Sequence, residues 1–141
     1  MAIQQLSVFV ENKQGKLVDT VRLIAEAGIN IRAMSIADTK DFGILRLIVS
    51  DMEKTRAVLS GSVVTSTDVI AVSMADKAGA LCEILAVLDE AKINVEYMYA
   101  FTASAPFGAY VVLRVGDVAA AEAALASGGI ATLTPADVAQ M

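Results

Sequence analysis

The chain has 141 residues, 56% of them apolar, which is enough for the core of one ordinary domain or of two very small ones. Its net charge of −5 disfavours nucleic acid and anionic membrane surfaces as partners, because both bind basic residues. One cysteine and no histidine are present. The commonest general base and cysteine-based metal clusters are therefore missing, and we expect no catalytic residues, no metal site and no cofactor.

The first half of the chain predicts the element order β-α-β-β-α-β. Alternating apolar and polar residues indicate strands, and an apolar face at helical spacing indicates helices. The predicted elements are, in chain order, a strand at 3–10, a helix at 16–27, strands at 29–37 and 44–49, a helix at 51–59 and a strand at 62–67. Leu17, Val21 and Ile24 form the predicted core face of the first helix. Gly28 fits the position just past that helix, where a positive φ favours glycine.

The second half repeats the first at a spacing of 64 residues. Among the thirty pairs formed between residues 8–37 and 72–101, nine are identical. A strand is expected at 69–74, the turn at 102–106 is longer than its counterpart, and Asp117 is expected to cap a helix. We therefore predict two domains, residues 1–67 and 68–141, each only marginally stable alone.

This order predicts an α+β fold of two ferredoxin-like βαββαβ units, each an antiparallel sheet with its helices on one face. The strand at 44–49 is apolar on both sides except at Arg46. Because the helices cover one face only, we expect the other half or a second chain to cover the other face. Met34, Met98 and Cys82 are interpreted as buried packing residues.

Two short segments are the best candidates for a ligand site: the first loop, residues 11–17, and the second loop, residues 75–81. Each joins a strand to a helix and contains one glycine. Free N–H groups at a helix start favour an anion such as an amino-acid carboxylate, and glycine lets a ligand approach the backbone closely. The alternative is that the glycines only permit a tight turn. Asn30 and Asn94 are likewise either polar anchors for a ligand or parts of a turn after the helix.

The two copies of this pattern resemble the ACT domain family. The first copy is the loop Glu11-Asn12-Lys13-Gln14-Gly15-Lys16-Leu17, with Ala27-Gly28-Ile29-Asn30-Ile31 after its helix. The second is Asp76-Lys77-Ala78-Gly79-Ala80-Leu81, with Ala91-Lys92-Ile93-Asn94-Val95. Together they cover nearly the whole chain, so the resemblance is to a stand-alone tandem ACT protein.

The resemblance implies that units pair side by side and that the loop of one unit shares its ligand with the strand start of a neighbour. One implied site comprises Asn12, Gly15, Lys16 and Leu17 with Asn94 and Val95. The other comprises Asp76, Gly79, Ala80 and Leu81 with Asn30 and Ile31. The two sites differ, because Asp76 replaces Asn12 and would repel a ligand carboxylate while attracting an ammonium group. Lys92 also replaces Gly28 after the helix.

The resulting functional hypothesis is a non-catalytic, cytoplasmic regulatory module that binds a small ligand, most simply an amino acid, and forms a homodimer. No acid–base or nucleophile–base pair is visible that would support an enzyme. The alternative is a protein-interaction or regulatory subunit of an amino-acid biosynthetic enzyme, in which the ligand sites are vestigial. A thermal-shift screen with the twenty amino acids separates these two hypotheses.

Overall fold

The computed structural model describes residues 2–38, 40–102 and 108–141. The chain divides into two compact units, the first unit being Gln4–Thr67 and the second unit Asp68–Met141 together with the N-terminal residues. The elements that build the first unit are β1 (Ile3–Glu11), α1 (Lys16–Glu26), β2 (Ile31–Asp38), β3 (Phe42–Val49) and α2 (Met52–Val58), followed by the start of β4 (Val64–Met74). The second unit continues with the rest of β4, α3 (Ala80–Glu90), β5 (Val95–Thr102), β6 (Ala109–Val115), α4 (Val118–Ser127) and α5 (Pro135–Ala139).

In the first unit, β3 lies between β1 and β2 and is antiparallel to both. Phe9 N–H donates to the carbonyl oxygen of Val63 at 3.1 Å, which places the segment leading into β4 on the other side of β1. The strand residues that face α1 and α2 form a continuous apolar cluster, with Leu6, Leu45 and Leu47 completely buried. Burial of this alternating set fixes the register, because a shift by one residue would expose every one of these side chains.

The second unit repeats this arrangement, with β6 between β4 and β5. Its fourth position is filled by a short bridge, Val72 to Thr132, next to which Leu133 N–H donates to the carbonyl oxygen of Ala71 at 2.8 Å. Leu113 and Leu125 are completely buried in the corresponding core. The predicted α+β fold of two ferredoxin-like units is thereby confirmed.

Several local predictions need correction. The strands expected at 62–67 and 69–74 are one continuous strand, β4, in which the two units meet along the chain. Leu17, expected on the core face of α1, is 37% exposed, and Cys82 is exposed rather than buried. Most of the long turn predicted at 102–106 lies outside the described residues.

Met34 and Met98 are also exposed rather than buried, by 39% and 40%. Both point toward the helix side of their sheets, since they are opposite the buried residues Leu47 and Leu113. They belong, however, to β2 and β5, the outermost strands, where less of the helix layer covers them. Periodicity predicts the face of a side chain, whereas its burial also depends on the position of the strand in the sheet.

Within the described ranges, no helix is long and apolar enough to cross a membrane. The same residues contain no group of three or more histidine, cysteine, aspartate or glutamate side chains placed to hold a metal ion.

Candidate functional site

The helices of this protein begin in two different ways. Three of them start with a side chain that accepts a hydrogen bond from the first turn: Asp51 in α2, Asp117 in α4 and Thr134 in α5. In contrast, α1 and α3 follow Gly15 and Gly79, which offer no side-chain cap. A helix start carries N–H groups that intrahelical bonds cannot satisfy. The first and second loops are therefore where such groups are left to water or to a ligand.

The two loops have nearly the same backbone geometry. Gly15 and Gly79 both have φ of 87°, with ψ of −18° and −13°. In the first loop, Lys16 N–H donates to the carbonyl oxygen of Lys13 at 3.2 Å, and in the second loop Ala80 N–H donates to that of Lys77 at 3.3 Å. The left-handed conformation favours glycine, because a side chain would cost roughly 1–2 kcal/mol of strain. The duplicated loop is thus a defined backbone structure.

Each loop glycine also faces open space. A Cβ atom built on Gly15 or on Gly79 would meet no heavy atom of the chain within 4 Å. Close packing inside the protein is therefore not why glycine occupies these positions. The backbone of each loop is open to the approach of a small molecule, and among the described residues the N–H groups of Gly15 and Leu17 have no hydrogen-bond partner.

A pocket of about 220 Å³ lies beside the second loop, within the second unit. It is lined by residues of the second loop and of the segment after α4, with one cationic and one anionic side chain, Lys77 and Glu83. The lining residues are Ser73, Met74, Ala75, Lys77, Ala80, Glu83, Ile84, Gly129, Ile130 and Ala131. The pocket is smaller than the roughly 300–1,000 Å³ of sites for drug-sized ligands. Its size and its two opposite charges suit a small zwitterion.

The two charged positions recur in the first unit, where Lys13 and Asp19 occupy the corresponding places at the spacing of 64 residues. There, Lys13 lies 3.4 Å from Glu11 and Asp19 lies 3.5 Å from Arg22, in exposed ion pairs. Sequence reasoning used the lysine identity only as a sign of duplication and did not include either charge in the candidate sites. Both loops have a lysine before the glycine and an acidic residue after it, and this recurrence is the sequence signal that could have identified the two charges.

The candidate asparagines lie at the opposite end of each unit from its own loop. Glu11, at the start of the first loop, is opposite Phe42 in β3, whereas Ile31 is opposite Val49. Seven residues of extended strand separate these two levels, roughly 23 Å. Asn12, Gly15, Lys16 and Leu17 therefore lie together in the first unit, but Asn30 and Ile31 do not join them.

The second unit shows the same separation. Met74, just before the second loop, is opposite Ala109, whereas Val95 is opposite Val115 at the other end of β6. Asp76, Gly79, Ala80 and Leu81 lie together in or beside the second loop, apart from Asn94 and Val95. No single unit can therefore bring a loop and an asparagine to one ligand, and the sharing between neighbouring units stays a prediction.

Asn30 and Asn94 have different surroundings although they occupy equivalent positions. The backbone of Asn30 makes a reciprocal pair with Ser50, whose Oγ accepts from Asn30 N–H and whose N–H donates to the Asn30 carbonyl oxygen, both at 2.9 Å. The corresponding residue in the second unit is Gly116, which has no hydroxyl. There, Asn94 and Gly116 line a pocket of about 240 Å³ together with Lys92, Glu96 and Asp117.

The helix ends before these asparagines differ as well. Gly28 has φ of 71°, a conformation that costs glycine little. Lys92 takes the equivalent place with φ of 61°, and it is the one non-glycine residue with positive φ in the described part of the chain. The second unit therefore keeps the turn of the first at the expense of backbone strain.

Comparison with known proteins identifies relatives along the whole chain. A family model described as an ACT domain pair matches residues 1–127. Protein BT0572 from Bacteroides thetaiotaomicron, whose crystal structure is known, has 35% sequence identity to this chain. The match covers 100% of this chain and 98% of that protein's chain, with a TM-score of 0.91.

More distant structures share the fold alone. The regulatory subunit of aspartate kinase from Thermus thermophilus is 14% identical, with 89% of this chain and 91% of that chain covered and a TM-score of 0.59. Aspartate kinase from Synechocystis is 20% identical over 95% of this chain and 26% of that one, with a TM-score of 0.61. No protein of curated function matches the sequence.

Proposed function

The chain belongs to the ACT domain family as an ACT domain pair, and from this premise we propose that it is a regulatory module that binds a free amino acid at its two strand-to-helix loops. The observation that carries the proposal is the duplicated helix start. Of the five helices in the described residues, α1 and α3 begin with an uncapped glycine, and both do so with the same backbone geometry.

The chemistry of the second loop supports a zwitterionic ligand. Uncapped N–H groups and the partial positive charge of a helix start favour a carboxylate. Lys77 lies at the same pocket and adds a full positive charge, while Glu83 offers a partner for an ammonium group. Asp76 precedes them in the loop and favours the same orientation, with the ligand's ammonium group toward the acidic side chains.

The first loop offers a weaker version of the same site. Its acid, Asp19, is engaged with Arg22 in an exposed ion pair at 3.5 Å, and the residue at the position of Asp76 is the neutral Asn12. An exposed ion pair contributes little energy and can exchange for a ligand. We therefore propose that the second loop binds the amino acid more tightly than the first.

A regulatory module requires something to regulate, and an enzyme of amino-acid metabolism is the partner we propose. A fold neighbour from Thermus thermophilus is named as the regulatory subunit of aspartate kinase, which is a precedent for this fold on a chain separate from a catalytic one. The absence of histidine from the sequence supports a non-catalytic role, because histidine is the commonest general base. Pairing of two copies is part of the same proposal.

A thermal-shift screen of the full chain against the twenty amino acids, each at millimolar concentration, tests ligand binding. At a hundredfold excess over its Kd, a ligand that binds only the folded protein stabilises it by about 2.7 kcal/mol. We expect at least one amino acid to raise the melting temperature, and its decarboxylated amine, which lacks the carboxylate, to have no effect. A flat response to all twenty would contradict ligand binding and favour a purely protein-interacting role, which co-purification of an enzyme would then support.

A further inference from the structure

The pocket beside the second loop has an apolar side, here called the apolar wall, which consists of Met74, Ile84 and Ile130. Ile84 belongs to the buried core of the second unit, and Met74 and Ile130 pack against that core. The two charged lining residues, Lys77 and Glu83, are exposed. The pocket is therefore amphipathic. If the charged groups of an amino acid lie toward the exposed side, its side chain is left to the apolar wall.

The first unit has polar residues at the corresponding positions of its own first helix. At the repeat spacing, Thr20 takes the place of Ile84 and Lys16 that of Ala80, which also lines the pocket. Thr20 Oγ1 donates to the carbonyl oxygen of Lys16 at 3.0 Å. The first turns of α1 thus carry a cation and a hydroxyl where α3 carries a methyl group and a buried isoleucine.

Ile130 in the apolar wall also has a polar counterpart. The hydrogen bonds align Val63 with Ala131, because their carbonyl oxygens accept from residues of β1 and β4 that are equivalent in the repeat, at 3.1 and 3.0 Å. Ser62 therefore corresponds to Ile130. Since the fold is the same in both units, it does not require these apolar residues. The apolar wall is a specific feature of the second unit.

The pocket volume limits the size of the ligand's side chain. At roughly 30 Å³ for each water molecule, the volume of about 220 Å³ corresponds to about seven waters. That is close to the number of non-hydrogen atoms in valine or leucine, and about half the number in tryptophan. A charged side chain would also be unfavourable, because it would leave water for an apolar surface that offers it no partner.

We infer that the second loop selects an amino acid with an uncharged aliphatic side chain of about the size of valine or leucine. The side chain lies against the apolar wall, and Ile130 is a specificity-determining residue. The inference rests on the proposed function, the binding of an amino acid at the loops, and adds the class of ligand that the second loop takes.

Titration calorimetry with a series of ligands tests this selectivity. Glycine, alanine, 2-aminobutyrate and norvaline differ by single methylene groups, and each methylene buried on the apolar wall should tighten binding about fourfold. Leucine and asparagine have similar shapes, but asparagine should bind about tenfold more weakly, because its amide would lose water without gaining a partner. Tryptophan should also bind more weakly than leucine.

The results separate this inference from the proposed function. If asparagine binds as tightly as leucine, and Gly79→Ala abolishes the binding of both, the loop holds an amino acid but the apolar wall does not select it. The inference is then overturned and the proposed function stands. If none of the amino acids binds, both are overturned.

Exchanging a residue between the units tests the role of Ile130. Ile130→Ser, which introduces the residue of the first unit, should reduce the ratio of leucine affinity to alanine affinity by about tenfold. The milder Ile130→Val should lower the same ratio by up to about fourfold, and it provides the test if the serine variant does not fold. An unchanged ratio in the folded variants would overturn the assignment.

Val118→Ser is the matched control. Val118 is also partly buried against the core of the second unit, but it does not line the pocket beside the second loop. The control should lower the free energy of unfolding in urea titrations, as Ile130→Ser does, and keep the wild-type ratio of affinities. An equal fall of the ratio in both variants would attribute the effect to stability and overturn the role of Ile130.

Discussion

Replacing Gly15 by alanine isolates the role of the first loop, because the structure separates strain from contact. The new Cβ would meet no heavy atom of the chain within 4 Å, so no clash is expected. The cost is the left-handed conformation at φ of 87°, roughly 1–2 kcal/mol. Part of it is offset because alanine also restricts the unfolded chain, and the net loss of stability should be about 1 kcal/mol.

Gly28 provides a matched control for this substitution. It has φ of 71°, its Cβ position is also open, and it lies at the other end of the same helix, away from the first loop. Gly28→Ala should therefore lower the free energy of unfolding as much as Gly15→Ala. The two variants should differ only in their response to the amino acid.

Titration calorimetry is the assay, with the stabilising amino acid found by thermal shift as ligand. Gly15→Ala should lose binding at the first loop, because the methyl group occupies the space through which a ligand approaches the backbone, while Gly79→Ala should lose the tighter site. Gly28→Ala should bind as the wild type does. If Gly28→Ala loses binding as well, the loss of binding in the loop variants is a consequence of lower stability and not of a blocked loop. If Gly15→Ala and Gly79→Ala both bind fully, the loops do not hold the ligand.

Three further predictions use differences between the units. Lys92→Gly should raise the free energy of unfolding by about 1 kcal/mol in urea titrations, because glycine adopts φ of 61° without strain; an unchanged midpoint would contradict strain at this turn. Thr134 donates hydrogen bonds from its backbone and its side chain to Asp137, and these bonds lower the pKa of the Asp137 carboxyl. The ionised carboxylate should therefore stabilise α5 above the ordinary pKa of about 3.9. This contribution should be lost as the pH falls through the lowered pKa. Amide exchange in α5 measures this, and Asp137→Asn should remove the dependence on pH. Asn94→Ala should weaken binding at the first loop and Asn30→Ala at the second; the opposite assignment, measured by calorimetry, would disprove the sharing implied by the family resemblance.

The order of elements could be predicted because each depends on a local pattern. Strand alternation, helical spacing and the composition of each loop are all visible within about fifteen residues. The helix start at Gly15 was therefore predicted where it occurs. Exposure was predicted less well, because it depends on where a strand lies in the sheet. Met34 and Met98 have the alternation of core residues, but their strands are outermost.

The candidate site shows the same limit. The loop glycines were identifiable, since a strand-to-helix joint with glycine is a local feature that occurs twice. Their shared φ and the open space around them are properties of the folded backbone. The contribution of Glu83 depends on the pocket that forms when the segment after α4 returns beside the second loop, more than forty residues later in the chain, and no local pattern specifies that contact.

Three of the differences between the two units lie at or beside the candidate sites. Asn12 becomes Asp76 in the loop, Ser50 becomes Gly116 beside the asparagine, and Gly28 becomes Lys92 at the helix end. The last change introduces backbone strain of roughly 1–2 kcal/mol. Among the described residues, the side chain of Lys92 makes no hydrogen bond that would compensate for this strain.

A strained residue persists only where the surrounding structure holds it. In the same region of the second unit, Gly116 stands in place of Ser50 and has no hydroxyl to make the reciprocal pair. Lys92 and Asn94 border an open pocket in this region of the second unit. If this pocket contributes to ligand binding, Gly116→Ser should close it by restoring the hydroxyl found at Ser50. The variant should then be more stable than the wild type and bind the amino acid less tightly. A Gly116→Ser protein with unchanged affinity would show that the divergence of this region serves the fold and not the ligand.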